Sequence, residues 1–168
     1  MTSLAGKFLV AKPVLQDPNF VRTVVLLLQH GAEGAFGLVI NRPAKVEGLP
    51  FPVFVGGPCP SQGLIMLHGH PEWVQEEDPD SPPGEVAPGV FLGNAACVGR
   101  VQEADDRDSL RYRMFAGYSG WGPDQLEREL AAGAWAVVPA SGEMIWNQPA
   151  DEVWAAVLPP MIPSPSLN

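Results

Sequence analysis

The chain has 168 residues, 46% of them hydrophobic, with 19 prolines, 18 glycines and a formal net charge of −9. That length fits one domain burying roughly 70% of the surface its unfolded form exposes, and the Pro and Gly content implies many turns and few long helices. The negative field repels phosphate backbones and anionic lipid, which weighs against direct nucleic-acid binding and membrane-surface attachment.

Residues 1–12 hold no basic run before an apolar block, so no export signal is read, and 8–12 predicts a short strand. Asp17, Pro18 and Asn19 form a turn with proline at its second position. Residues 21–29 are apolar on both alternating faces, which predicts a central strand covered on both sides. Its longest apolar run, 24–28, is far short of the ~20 residues a membrane-spanning helix needs. These features place the chain in the cytoplasm, away from membrane. The chain turns at 31–34 and returns at 36–40 as a hairpin. Counted from the turn, His30 pairs with Ala35 and Val24 with Asn41, which gathers Arg22, Asn41 and Arg42 at the open end.

Residues 43–52 read as a turn-rich link, 53–55 as a short strand, Gly56-Gly57-Pro58 as a sharp bend and 64–67 as a strand. Residues 71–88 carry six carboxylates, five prolines and no Lys or Arg. Such a composition cannot bury enough apolar surface to order itself, so a mobile acidic surface loop is expected. A strand at 90–92 precedes a helix capped by Asn94 and running to about Ala104, with Cys97, Val101 and Ala104 on one face. After a polar connector, 111–117 is a strand. Residues 117–130, G-Y-S-G-W-G-P-D-Q-L-E-R-E-L, predict a glycine-rich turn and a helix. Here Gly117 and Gly120 permit a tight bend, Trp121 is an apolar anchor, Gly122 is the N-cap, Pro123 the first helical residue and Gly133 the stop. A strand at 134–139, a short strand at 143–146, a helix at 148–158 and a proline-rich tail at 159–168 complete the chain. Residues 1–158 thus read as one α+β domain, a large mixed, mainly antiparallel sheet flanked by a few short helices.

The candidate chemistry is sparse. Ser119 between strand and helix has the look of a nucleophile elbow, but Trp121 stands where that motif needs glycine and no histidine follows His70. His68 and His70 at strand spacing, with Glu72 nearby, are candidate metal ligands that lack a second cluster. Cys59 near His68 would be a thiol–imidazole pair, yet both cysteines, with no C-x-x-C, read first as reduced, packed thiols. Two guanidinium groups and an amide at Arg22, Asn41 and Arg42 form a candidate anion site, with the glycine bends at Gly56, Gly57, Gly117 and Gly120, and Trp121, beside it. No metal or cofactor is expected, and no DNA-binding motif is found.

Five ordered segments, G-K-F-L-V-A-K-P at 6–13, D-P-N-F-V-R-T-V-V at 17–25, H-G-A-E-G-A-F-G-L-V-I-N-R-P at 30–43, G-G-P at 56–58 and G-Y-S-G-W-G-P-D-Q-L-E at 117–127, resemble the YqgE/AlgH family over about residues 4–158. The resemblance implies an α+β domain on a large mixed sheet in bacterial cytoplasmic proteins of unsettled activity, some labelled transcriptional regulators. It also implies an aliphatic residue at position 59 and often alanine at 119, so Cys59 and Ser119 depart from the pattern, as does the acidic 71–88 stretch.

The leading expectation is a non-catalytic regulatory or binding protein, acting indirectly through a protein or a small anionic ligand, with its polar side chains too dispersed to assemble reaction machinery. A small-molecule enzyme or anionic-metabolite binder using Arg22, Asn41 and Arg42 stays open as an alternative, as does a direct DNA regulator, which the acidity disfavours.

Overall fold

A computed structural model describes residues 3–45, 47–74 and 84–159. One five-stranded sheet contains β1 (Lys7–Ala11), β2 (Val24–Gly31), β3 (Gly34–Val39), β9 (Ser119–Trp121) and β10 (Trp135–Pro139), in the order β10-β1-β2-β3-β9. The other contains β4 (Val53–Val55), β5 (Ile65–His68), β6 (Glu85–Ala87), β7 (Val90–Leu92) and β8 (Tyr112–Ala116), in the order β4-β8-β5-β7-β6. Pairing is antiparallel except between β4 and β8, so the fold is α+β and mainly antiparallel.

The two-residue period of a strand explains the layers. Phe8, Val10, Val24, Leu26, Leu38 and Ile40 enter a central core with Leu67, Val90 and Phe115 of the second sheet. Leu9, Ala11, Val25, Leu27 and Val39 point the other way, against Trp121, Trp135 and Leu126 of α3 (Gln125–Ala131). On the far side of the second sheet, Met66, Tyr112 and Met114 meet Trp73 of α1 (Pro71–Val74) and Cys97 and Val101 of α2 (Ala95–Glu103). The stack is helix, sheet, sheet, helix. Ile145 of α4 (Gly142–Trp146) and Val153 of α5 (Ala150–Val157) add to the central core. Each fully buried leucine or phenylalanine contributes about 1.5–3 kcal/mol.

Five expectations are corrected. β2 begins at Val24 and not at 21, because Asp17 to Thr23 is a hydrogen-bonded turn: Phe20 and Val21 N–H donate to Asp17 O (3.0 and 2.8 Å), and Thr23 Oγ1 donates to Phe20 O (2.7 Å). The hairpin pairs His30 with Ala35 as counted, but a bulge between Leu27 and Gln29 shifts the register, and Val24 O accepts from Ile40 N–H at 2.9 Å. The 71–88 segment is structured at both ends, by α1 with its buried Trp73 and by β6 paired to β7; its middle, 75–83, lies outside the described residues, as does the tail from 160. Residues 143–146 are helical, which puts Ile145 into the core. The motif helix starts at Gln125 after Asp124, not after Gly122, because 119–121 pair with β3 as β9.

Asn94 caps α2 as expected, its Oδ1 accepting Cys97 N–H at 3.1 Å. Gly133 (φ 79°) follows the C-cap of α3, with Ala134 N–H donating to Glu129 O at 3.0 Å. Among the described residues no helix is long and apolar enough to cross a membrane.

Candidate functional site

The fold brings Arg22, Asn41 and Arg42 together. Asn41 Oδ1 accepts Val24 N–H at 3.0 Å and its Nδ2 donates to Arg22 O at 2.9 Å. Arg42 Nη1 donates to Asn19 O at 2.5 Å and Nη2 to Val21 O at 2.9 Å. Asn41 and Arg42 therefore fasten the 17–23 turn to the hairpin. Burial pushes the Arg42 pKa down, against the opposing charge of Asp17. Arg22 is exposed, holds a left-handed backbone (φ 56°) and sets its guanidinium 5.6 Å from the centre of the Trp154 ring.

The glycine bends start beside that strand end, where Val55 N–H donates to Arg42 O at 2.7 Å and Gly56 O accepts Val39 N–H at 2.9 Å, and two chain segments cross there. A Cβ at Gly56 would stand 2.3 Å from Gly117 O, and one at Gly117 (φ 78°) 2.7 Å from Gly57 O. Only hydrogen side chains permit that approach. Cys59 and Tyr118 exchange both backbone hydrogen bonds beside the crossing (3.0 and 2.9 Å). Ser119 is fully buried in β9 and donates to Gly56 O at 3.0 Å, which ties the first sheet to the bend. Gly120 packs beside the Tyr118 ring, and buried Trp121 donates Nε1–H to Glu129 Oε1 at 3.1 Å.

The expectation of dispersed polar groups fails on the outer face of the second sheet. His68, fully buried, lies with Nε2 3.8 Å from Cys97 Sγ. The thiol beside His68 is thus Cys97 from α2, and not Cys59, which is bridged to Tyr118. His68 Nδ1 accepts His70 N–H at 3.1 Å, which assigns the ring proton to Nε2, facing the sulfur. His70 Nε2 accepts Arg111 N–H at 2.9 Å, leaving Nδ1–H to face Glu72 Oε1 at 3.1 Å. The His70 ring stacks on Trp73 with centroids 4.2 Å apart, and His68 lies 5.4 Å from the Phe91 ring.

Burial, then the neighbouring His70, pushes the His68 pKa down to about 4 against the pull of Glu72. Burial also lowers that of His70, opposed by its hydrogen bond to Glu72. Both imidazoles are therefore neutral acceptors for backbone N–H groups at neutral pH. Among the described residues no group of three or more His, Cys, Asp and Glu side chains is placed to hold a metal ion. One signal for this cluster was legible: the Asn94 cap puts Cys97 on the buried face of α2. Its meeting with His68 depends on how α2 docks.

His30, the third histidine, has a fastening role, with Nδ1 accepting Leu4 N–H at 2.9 Å and Nε2 2.6 Å from Glu127 Oε2.

Two facing five-stranded sheets with helices on both outer faces, and polar side chains largely engaged in fastening loops and backbone, define an α+β domain whose architecture comparisons can place. The sequence profile of the AlgH-like family matches residues 8–165. The UPF0301 protein of Streptomyces coelicolor is 37% identical, over 94% of this chain and 86% of that protein, and the UPF0301 protein of Myxococcus xanthus is 34% identical over 99% and 96%. The solution structure of the AlgH protein from Pseudomonas aeruginosa aligns with TM-score 0.69 and 28% identity over 92% of this chain and 87% of that one. A crystal structure of a protein from Corynebacterium diphtheriae aligns with TM-score 0.71 and 26% identity over 94% and 87%. The chain belongs to the AlgH-like family.

Proposed function

We propose that this AlgH-like chain works by association, as a cytoplasmic regulatory or binding protein, and not by turning over a substrate. What supports this most is the engagement of its reactive side chains. The Ser119 hydroxyl is buried and bonded to Gly56 O, the Cys97 thiol is 1% exposed, and His68 accepts a backbone N–H at Nδ1, which leaves the proton on the Nε2 that faces the thiol. The net charge of −9 favours a protein or a small ligand over DNA as the regulated contact. A thermal-shift screen of metabolites, followed by turnover assays on each hit, tests the reading. Binding without consumption is expected; turnover that disappears in Cys97→Ala or Ser119→Ala would overturn it.

A second reading places a small anion at the hairpin end, supported by the exposed Arg22 held over Trp154 and by Arg42 fixed on the adjoining turn. Unchanged ligand binding in an Arg22→Gln, Arg42→Gln double variant would end it.

A further inference from the structure

A cavity of about 270 Å³ opens between β4, β8 and the 3-10 turn at Arg107–Ser109, lined by Phe54, Arg107, Leu110, Tyr112 and Arg113. We infer that this cavity is a binding site for a small anion carrying a flat apolar group, in the class of aryl carboxylates and aryl phosphates. The inference rests on the association reading above and adds a place and a ligand class to it.

The argument begins with Arg113. On β8 the two-residue period sets it on the side of Phe115, which enters the central core, and opposite Tyr112 and Met114. Its guanidinium lies 5.4 Å from the centre of the Phe54 ring, while Nη1 donates to Tyr112 O at 2.9 Å and Nη2 to Trp146 O at 3.2 Å. These acceptors are neutral. The two ion pairs between described residues are His30 with Glu127 and His70 with Glu72, so Arg113 has no carboxylate counter-charge among those residues. A cation withdrawn from water without a counter-ion is costly, and burial lowers the Arg113 pKa in keeping with that. An anion in the cavity removes the cost.

Arg107 supplies the second charge. Its Nε donates to Val101 O and its Nη2 to Gln102 O, both at 2.9 Å, so the guanidinium is held before a ligand arrives. Among the described residues, Nη1 of Arg107 and Nε of Arg113 donate no hydrogen bond. Preorganised guanidinium groups lose little freedom on binding and offer planar, directional donors to a carboxylate or phosphate.

The walls set the rest of the ligand. Phe54, Leu110 and Pro52 are apolar, and the Phe54 ring with Arg113 beside it offers a flat surface for an aromatic or conjugated group. The volume is slightly below the range of about 300–1,000 Å³ typical of small-molecule sites, so the ligand is small. Asp108 on the same rim, more than 4.0 Å from either guanidinium, disfavours extended polyanions. A nucleic-acid strand is therefore not the occupant.

The test is a ¹H–¹⁵N NMR titration of the full chain with phenyl phosphate and with benzoate, beside inorganic phosphate and benzyl alcohol as controls. Saturable shifts are expected at the amides of 53–55 and 107–113, from one or both aryl anions, which tells phosphate from carboxylate preference. Affinity should fall at least about fivefold in Arg113→Gln and in Arg107→Gln, and weaken as salt rises through the range where the Debye length drops below about 10 Å. If Arg113→Gln does not fold, Arg107→Gln decides, because its bonds end on two last-turn carbonyls of α2, Val101 O and Gln102 O. Unchanged affinity in the folded variants, no saturable shift at these amides, or benzyl alcohol or inorganic phosphate binding as tightly as the aryl anions would each overturn the inference. Shifts confined to residues 19–24 and 41–42 would overturn it while leaving the association reading intact. Consumption of a bound aryl phosphate would sink the association reading while leaving the cavity in place.

Discussion

The outer faces of the two sheets are covered in the same way and with different chemistry. On the first, Leu9, Val25, Leu27 and Val39 lie under α3 and two tryptophans, whose indole N–H groups share Glu129 Oε1 at 3.1 and 2.9 Å. On the second, Met66 and Met114 share their cover with the neutral imidazoles of His68 and His70 and the thiol of Cys97. Apolar burial is indifferent to protons. A buried imidazole that accepts a backbone N–H is not, because protonation turns its acceptor nitrogen into a donor facing another donor. The contrast teaches that the apolar contacts of one face cohere without regard to protons, while the buried imidazoles of the other couple the fold to pH.

The largest expected effect lies on the apolar face. Leu27→Ala should lower unfolding free energy by about 2–5 kcal/mol, equally at pH 7.5 and at pH 5.5, in urea denaturation. A loss under about 1 kcal/mol would show that α3 and the tryptophans do not pack tightly on the sheet.

On the polar face, stability should follow the histidines. The His68 pKa is about 4 in the fold, against an ordinary value of 6.5, so between those values the unfolded chain holds more protons and stability rises with pH. The contribution is complete above about pH 6.5 and is lost as pH falls toward 4, on the order of 2 kcal/mol. His68→Gln should flatten the slope between pH 6.5 and 5, where carboxylates titrate little. An equally steep slope in the variant would assign the acid sensitivity elsewhere.

Smaller effects sharpen the comparison. Glu129→Ala removes the shared acceptor of two buried indoles and should cost on the order of 1–2 kcal/mol, a Tm drop of about 2–8 °C in thermal denaturation. Arg42→Gln should cost about 1 kcal/mol or less and speed amide exchange only in residues 17–24, since its bonds end on Asn19 O and Val21 O. Protection lost in β5 or β8 as well would contradict so local a role.

Much of the scaffold was legible because its signals are local. The central strand, the Asn94 cap, the Gly133 stop and the strand at 53–55 follow from runs of a few residues whose period or turn chemistry is self-contained. The errors arose where a neighbour overrides such a signal. The turn at 17–23 takes Arg22 out of β2, a bulge moves Val24 from Asn41 to Ile40, and pairing with β3 makes a strand of 119–121 before the helix can begin. Acidic composition hid Trp73, a single buried side chain that anchors one end of 71–88.

The candidate sites divide in the same manner. Arg22, Asn41 and Arg42 are neighbours because Asn41 and Arg42 at the end of the hairpin bond the 17–23 turn; counting along two strands foresees the neighbourhood but not that turn. Cys97 and His68 are 29 positions apart and meet only when α2 docks on β5. Arg107 and Arg113 line one cavity only because the 3-10 turn folds back beside β8 and Phe54 arrives on the parallel strand β4.

By itself the sequence determined the family, the α+β class and most strands, since each rests on residue order and on the periodicity of neighbouring side chains. Only the tertiary structure decided which imidazoles are buried, which thiol His68 meets and which guanidinium has no carboxylate partner among the described residues. Desolvation and charge pairing depend on distances between segments remote along the chain, and no local pattern encodes those distances.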